Sequence, residues 1–244
     1  MIKSKLFFDA FKYSIPVLLG YLAIGAAFGL LMADSGYSWT LVLLMSVVMY
    51  AGAGQYIGVG LFASGASLAE AAIVQFVVNA RHIAYGITMF KKFKDTGCRK
   101  PYLIFALSDE TFALLSSLDE SYWKRVSNCG RYEMDAGERA RFMLYVSLLN
   151  HSYWIAGSLV GVFAGALLPI DFEGVSFALI ALFITLMIEQ FSRVKKFMPF
   201  AVSASAAVLA VILLPSRLAL LSALAASFII VQFFSTLNDA GGKK

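Results

Sequence analysis

YSIPVLLGYLAIGAAFGLLMA, residues 13–33, carries no charged side chain between Lys12 and Asp34. Wound as an α-helix, such a stretch rises about 30 Å, the thickness of a bilayer's hydrocarbon core. Working outward from it, further apolar runs stand between charged breaks at about 38–63, 68–90, 101–117, 142–168, 176–191, 199–214 and 218–237. The whole chain agrees with its parts. Hydrophobic residues make up 60% and charged residues only 14% of it, with a mean hydropathy of +0.77. Water cannot cover that much apolar surface, so the sequence describes an all-α integral membrane protein in which the bilayer is the solvent.

The net charge of +5 does not point to nucleic acid. Its Lys and Arg residues sit in short clusters between apolar runs, not along one helix face or a basic arm. Cys98 and Cys129 lie in polar loops without CxxC or Cys/His spacing, so neither a metal site nor a disulfide framework is indicated, and no cofactor motif is present. At the N-terminus Lys3, Lys5 and Lys12 alternate with Phe7, Phe8 and Phe11 without a small-residue cleavage site, which reads as an amphipathic lead-in and not a removed signal peptide.

Cytoplasmic loops are enriched in Lys and Arg, and this bias tests the topology. If every run crosses from a cytoplasmic N-terminus, the cluster Lys91-Lys92-Phe93-Lys94 through Arg99-Lys100 faces outward. Removing two crossings resolves the conflict. The candidates are 38–63, interrupted at Gly52-Ala53-Gly54-Gln55, and 101–117, which is short and carries Ser108-Asp109-Glu110 in its middle. Loops 91–100, 118–141 and 193–196 then all become cytoplasmic, as do both termini, while 34–37 and 169–175 hold Asp34, Asp171 and Glu173 outside. The expectation is a multi-spanning helical bundle of about six full spans plus two broken or re-entrant helices, with eight full spans as the alternative. It forms a single transport domain over 1–244, its longest polar segment being a cytoplasmic loop at 118–141.

Ionisable groups inside such runs are costly, roughly 2.5–3.5 kcal/mol at the bilayer centre on insertion scales, and so line cavities or find partners. Asn79-Ala80-Arg81-His82 lies deep in the third run, with Gln75 one turn earlier on the face of Asn79; Asp109-Glu110-Thr111 lies midway through the fourth. In a functional reading Arg81 binds a carboxylate, Asn79 hydrogen-bonds the ligand, and His82 with Asp109 or Glu110 takes and releases protons. In a structural reading Arg81 and one of these acids merely tie two helices together. Gly52, Gly54 and Gln55 suggest a ligand cradle, because unwound backbone is tolerated at membrane depth only within protein or beside a cavity; close helix packing is the alternative. Gly25 with Gly29, and Gly157, Gly161 and Gly165, form small-xxx-small ridges for backbone contact. Asn150, His151 and Trp154 open the fifth run, edging either a cavity or the aromatic belt. Glu189 and Gln190 beside Arg193 read as a surface ion pair.

Together Ser14-Ile15-Pro16 with Gly20, Gly25 and Phe28-Gly29, then Tyr50-Ala51-Gly52-Ala53-Gly54-Gln55, Asn79-Ala80-Arg81-His82, Ser108-Asp109-Glu110-Thr111, and Trp154 with Gly157 and Gly161 form an ordered set. The set resembles the AzlC-type branched-chain amino acid permeases, from about residue 10 to residue 191. Departures are Gly54 and Ala80, where Ala and often Leu are expected, and Asp171-Phe172-Glu173-Gly174-Val175-Ser176-Phe177 in place of a Gly-Leu-Asp-Phe pattern. The resemblance implies export of branched-chain and similar apolar amino acids from a bacterial cell, through its cytoplasmic (inner) membrane, in complex with a small multi-spanning AzlD-type partner.

The residues themselves favour a secondary transporter. GxxxxGK[ST] is absent, so the expected energy source is an ion gradient and not ATP, with protons favoured by His82 and the embedded acids and Na⁺ held by carbonyls at the helix break as the alternative. The alternative is a channel or scaffold subunit for another small solute. An enzyme is not indicated, since HExxH, GxSxG and a spaced pair of membrane aspartates are all missing.

Overall fold

The computed structural model describes residues 2–119, 122–123, 134–167, 184, 187–188, 191–192, 197–213, 222 and 226. The expected runs 176–191 and 218–237 and the segment 120–133 fall largely or wholly outside these residues. Segment 169–175, Glu189, Gln190 and 193–196 lie outside them altogether. Every regular element among the described residues is helical: α1 (Ile2–Asp34), α2 (Trp39–Val48), α3 (Gly52–Ala63), α4 (Leu68–Asn79), α5 (Arg81–Met89), a 3-10 segment (Lys94–Arg99), α6 (Lys100–Phe105), α7 (Asp109–Ser116), α8 (Ala136–Leu167) and α9 (Phe197–Leu213). The chain divides into two compact units, Met1–Gly65 with Val78–Leu179, and Ala66–Val77 with Ile180–Lys244.

The first unit is built on α1 packed along α8. Leu6, Ala10, Ser14, Val17, Tyr21, Phe28 and Met32 are buried at intervals of three, four or seven residues, so one stripe of α1 faces inward while Leu19 and Leu22 stay exposed. The lead-in expected over residues 1–12 is the first part of this same helix. Among the described residues, Lys5–Asp34 is the one helix long and apolar enough to cross a membrane. α8 is as long, but its middle holds the buried polar side chains Ser147, Asn150, His151 and Ser158.

Glycines let the two long helices touch backbone to backbone. A Cβ on Gly29 would strike the Ser158 carbonyl oxygen and stand 2.6 Å from the Val162 nitrogen; one on Gly161 would strike the Ala26 carbonyl oxygen; one on Gly157 would lie 2.7 Å from the Tyr21 carbonyl oxygen. Of the ridges read from the sequence, Gly25, Gly29, Gly157 and Gly161 are therefore packing surfaces.

α8 starts earlier than the expected 142. A reciprocal cap explains it: Glu138 N donates to Asp135 Oδ1 at 2.6 Å, and Asp135 N donates to Glu138 Oε2 at 3.2 Å. Nearby, Leu6, Met89, Phe93, Leu103, Leu107, Leu115, Trp123 and Phe142 form the apolar core of this end of the unit.

Three of the sequence's apolar runs are interrupted. Run 38–63 breaks between α2 and α3, where Tyr50 adopts φ 39°, a left-handed conformation that is costly for a bulky side chain. Gly52 to Gln55 are thus not the unwound stretch, as the sequence suggested, but the first turn of α3, with Gln55 N bonded to Ala51 O at 2.8 Å. Run 101–117 breaks at 106–108, and Ser108 caps α7 by accepting from Thr111 N at 3.1 Å. Run 68–90, expected to be one span, is interrupted at Ala80: His82 Nδ1 meets the Asn79 carbonyl at 3.0 Å, and Ile83 N bonds instead to Ala80 O at 3.1 Å. At 10 and 12 residues, α2 and α3 each rise only about half the hydrocarbon thickness.

In the second unit α4 opens with another reciprocal cap. Ser67 N donates to Glu70 Oε2 at 2.7 Å and Glu70 N to Ser67 Oγ at 3.3 Å. Its α9 is uncharged, and the exposed Ser205 donates back to its own helix at the Ala201 carbonyl, 2.9 Å away.

Candidate functional site

The first turn of α7 organises the polar interior of the first unit. Three consecutive side chains, spread around the helix by its pitch, reach three different neighbours. Asp109 meets Arg81 Nη2 at 3.0 Å through Oδ2 and accepts from the Tyr85 hydroxyl at 2.6 Å through Oδ1. Tyr85 is held for this by stacking on Phe112, with centroids 4.3 Å apart. Glu110 Oε2 lies 2.7 Å from the Tyr21 hydroxyl, which also reaches Ser108 Oγ at 2.5 Å. Thr111 Oγ1 accepts from Ser108 Oγ and from Asn150 Nδ2, each at 3.0 Å. Two acids beside a helix N-terminus suit its positive end, and Ser108 satisfies an amide there.

Hydrogen-bonding capacity remains. Arg81 Nε, Asn150 Oδ1 and the Tyr50 hydroxyl are buried without a hydrogen-bond partner among the described residues. The Tyr50 hydroxyl approaches Thr111, Tyr21 and Ser108 without completing a bond to any of them.

A second network joins the break before α3 to α8. Trp154 Nε1 donates to Gln55 Oε1 at 2.7 Å, and Gln55 Nε2 reaches Ser46 Oγ at 3.5 Å. His151 Nε2 lies 3.1 Å from the Ser46 carbonyl and its Nδ1 3.0 Å from the Tyr102 hydroxyl, while the Tyr50 ring lies over the imidazole at 4.3 Å. Gly52 is small because Trp154 is there: a Cβ would come within 3.0 Å of its Cη2.

A cavity of about 770 Å³ is walled by Tyr50, Asn79, His82, Ile83, Ile87, Lys91 and Phe105 among others. Most of its wall is aliphatic or aromatic, with a few polar groups, as small-molecule sites commonly are.

The sequence-derived candidates fall into separate places. Asn79 and His82 face the cavity; Arg81 and Asp109 form the ion pair that the structural reading foresaw; Glu110 belongs to the Tyr21 network and Asn150 to Thr111; Gln55 and Trp154 pair with each other. Gly54 is buried in the first turn of α3. Sequence reasoning passes over Tyr21, Tyr85 and Tyr102, gives Tyr50, Ser108 and Thr111 no role in the site, and places His151 only at a candidate cavity edge. A tyrosine inside an otherwise apolar run is the signal that would have found most of them, since a buried hydroxyl needs a partner.

The family model described as AzlC protein matches residues 16–168, which hold all of these groups. The chain belongs to the AzlC family. Its AzlC relatives include a membrane protein of Helicobacter pylori strain J99, 44% identical over 78% of this chain and 77% of its own. The branched-chain amino acid transport protein AzlC of Bacillus subtilis is 36% identical over 78% and 70%. The inner membrane protein YgaZ of Escherichia coli is 28% identical over 78% and 75%. No solved structure matches. The motif resemblance read from the sequence is thus upheld, and the chain is a helical membrane protein of the AzlC transport family.

Proposed function

We propose that this chain is the large subunit of a secondary transporter that exports branched-chain and similar apolar amino acids across the bacterial cytoplasmic membrane, with a proton gradient as the driving force. The observation that carries the reading is one apolar cavity beside buried polar groups at helix breaks, in a chain related to a protein named for branched-chain amino acid transport. An apolar amino acid needs an apolar wall for its side chain and polar contacts for its two charges. Arg81 supports the carboxylate contact: Nη2 is engaged by Asp109, yet Nε has no hydrogen-bond partner among the described residues. Asn79 on the cavity wall supplies a neutral contact, and Tyr50 and Ala51 line the cavity where the chain leads into the first turn of α3, Gly52 to Gln55.

For coupling, the candidates are His82, which lines the cavity together with Lys91, and the acids Asp109 and Glu110; protonating Asp109 would weaken its hold on Arg81. Such a step links proton occupancy to the anchor for the substrate. The chain then acts as one transport domain of about six full spans plus broken helices, with cytoplasmic termini and no enzymatic step, beside a small AzlD-type membrane subunit.

The test is efflux of labelled leucine or valine from cells expressing this chain with and without its small partner, for wild type and Arg81→Ala. Export that requires both chains and Arg81 supports the proposal. Absence of efflux in every combination overturns it.

A further inference from the structure

Two of the most deeply buried polar side chains have unused capacity at the same place. Asn150 is 0% exposed and Tyr50 4% exposed, and the Asn150 amide oxygen and the Tyr50 hydroxyl each have no hydrogen-bond partner among the described residues. The Asn150 amide contacts the Thr111 hydroxyl through Nδ2, and the Tyr50 hydroxyl stands near the same hydroxyl. One buried unsatisfied group is a defect to be explained; two around a common neighbour are the outline of a ligand.

We propose that the Tyr50 hydroxyl, the Asn150 amide oxygen and the Thr111 hydroxyl form a subsite for an ammonium group, the α-amino end of the transported amino acid. This rests on the amino acid reading given above and specifies its polar contact.

The chemistry selects a cation with several N–H donors. The nitrogens near the point, Asn150 Nδ2 and Thr111 N, already donate to the Thr111 and Ser108 hydroxyls. The other polar atoms there are oxygens, namely Thr111 Oγ1, Ser108 Oγ, the Tyr21 hydroxyl and, 2.7 Å from that hydroxyl, the Glu110 carboxyl. The carboxyl opposes a second carboxylate there and favours a positive charge. The way in is through Tyr50. It forms part of the cavity wall and sends its hydroxyl inward to this cluster, from a backbone held at φ 39° between two helices. A left-handed tyrosine at a helix break is a strained element, the kind found at ligand clamps. When its ring swings, an ammonium group arriving from the cavity reaches Asn150 with its apolar side chain still among Ile83, Ile87 and Phe105.

The experiment measures binding to the full-length wild-type chain, Tyr50→Phe and Asn150→Leu, using leucine and two truncated analogues. These are 4-methylpentanoate, which lacks the amine, and 3-methylbutylamine, which lacks the carboxylate. Wild type is expected to prefer leucine to 4-methylpentanoate, and each variant to lose at least roughly tenfold of that preference while keeping its preference over 3-methylbutylamine. Melting temperature reports folding, and Tyr50→Phe, which changes one hydroxyl, decides the matter if Asn150→Leu does not fold. An unchanged preference over 4-methylpentanoate in Tyr50→Phe, as expected for a structural water alone, overturns the subsite and leaves the amino acid reading intact. So does a loss confined to 3-methylbutylamine. Wild type that binds none of the three overturns both.

Discussion

Arg81 and Asp109 meet at 3.0 Å, each the first residue of its own helix, and each remains partly accessible, at 28% and 23% of its side-chain surface. The guanidinium therefore sits at the positive end of α5 and the carboxylate at the positive end of α7, so the pair is unequal: Asp109 is favoured by its helix and Arg81 is not.

Removing the acid should accordingly hurt more than removing the base. Asp109→Asn leaves Arg81 uncompensated and is expected to cost about 1–3 kcal/mol, whereas Arg81→Ala should cost less, and the double variant less than the sum. Thermal unfolding of the three proteins in detergent measures this. Additive losses would show that the two charges do not depend on each other. In the same set, Asp109→Asn should abolish gradient-driven export under the proton-coupling proposal; full export in that variant removes Asp109 from the role.

Two glycines of α1 predict opposite outcomes. Nothing stands within 4 Å of a Cβ placed on Gly20, while one on Gly29 meets the Ser158 carbonyl oxygen. Gly20→Ala should be neutral or stabilising by up to about 1 kcal/mol, from reduced freedom of the unfolded chain. Gly29→Ala should destabilise by about 1–3 kcal/mol by forcing α1 and α8 apart. Equal melting temperatures for the two variants would contradict the backbone contact.

Gly52→Ala separates function from folding. Its Cβ would press on Trp154 at 3.0 Å, and the indole can yield only by loosening its 2.7 Å bond to Gln55. The expected result is a stability loss within about 1.5 kcal/mol with clearly reduced export. Trp154→Phe in the same background should relieve the clash and recover stability; if it does not, the indole is not what Gly52 accommodates.

Lys92 sits in the basic segment between the third and fourth apolar runs. Its Nζ donates to the carbonyls of Leu115 and Ser116 at 2.7 and 3.0 Å, at the C-terminal end of α7. Burial pushes its pKa below the usual lysine value of 10.5, with Asp119 opposing the shift. A lysine whose folded pKa is lowered binds fewer protons folded than unfolded, so its contribution to stability improves as pH rises through the folded value toward 10.5. The melting temperature of wild type relative to Lys92→Met should thus rise over that alkaline window and flatten below it. A difference that falls with pH would reverse the sign of the shift.

The fold class was legible because hydropathy works on averages: the stretch 13–33 alone identifies α1, and the ridges at Gly25, Gly29, Gly157 and Gly161 mark where helix backbones meet, while the pairing of α1 with α8 appears only in the structure. The breaks were harder. Glycine at 52–54 drew attention to the right run, but the chain turns at Tyr50, a residue that local preference would not choose for φ 39°. Ala80 gave no warning, since the interruption there comes from His82 competing for a carbonyl, which is a side-chain event invisible to periodicity. Likewise Asp109 and Glu110 look equivalent in sequence. Successive residues on a helix point about 100° apart, and that angle alone sends one to Arg81 and the other to Tyr21.

A contact too tight to admit a methyl group also resists sliding. With the carbonyls of Ala26 and Ser158 seated against the glycines of the opposite helix, α1 and α8 move as a single post, and the rearrangement of a transport cycle falls to the short helices hung upon it. Spin labels at Leu19 and Val160, both exposed, should keep one separation with and without leucine, whereas a label at Ile87 on α5 should shift against either. The glycine seam would then be what gives the mobile parts something fixed to turn against.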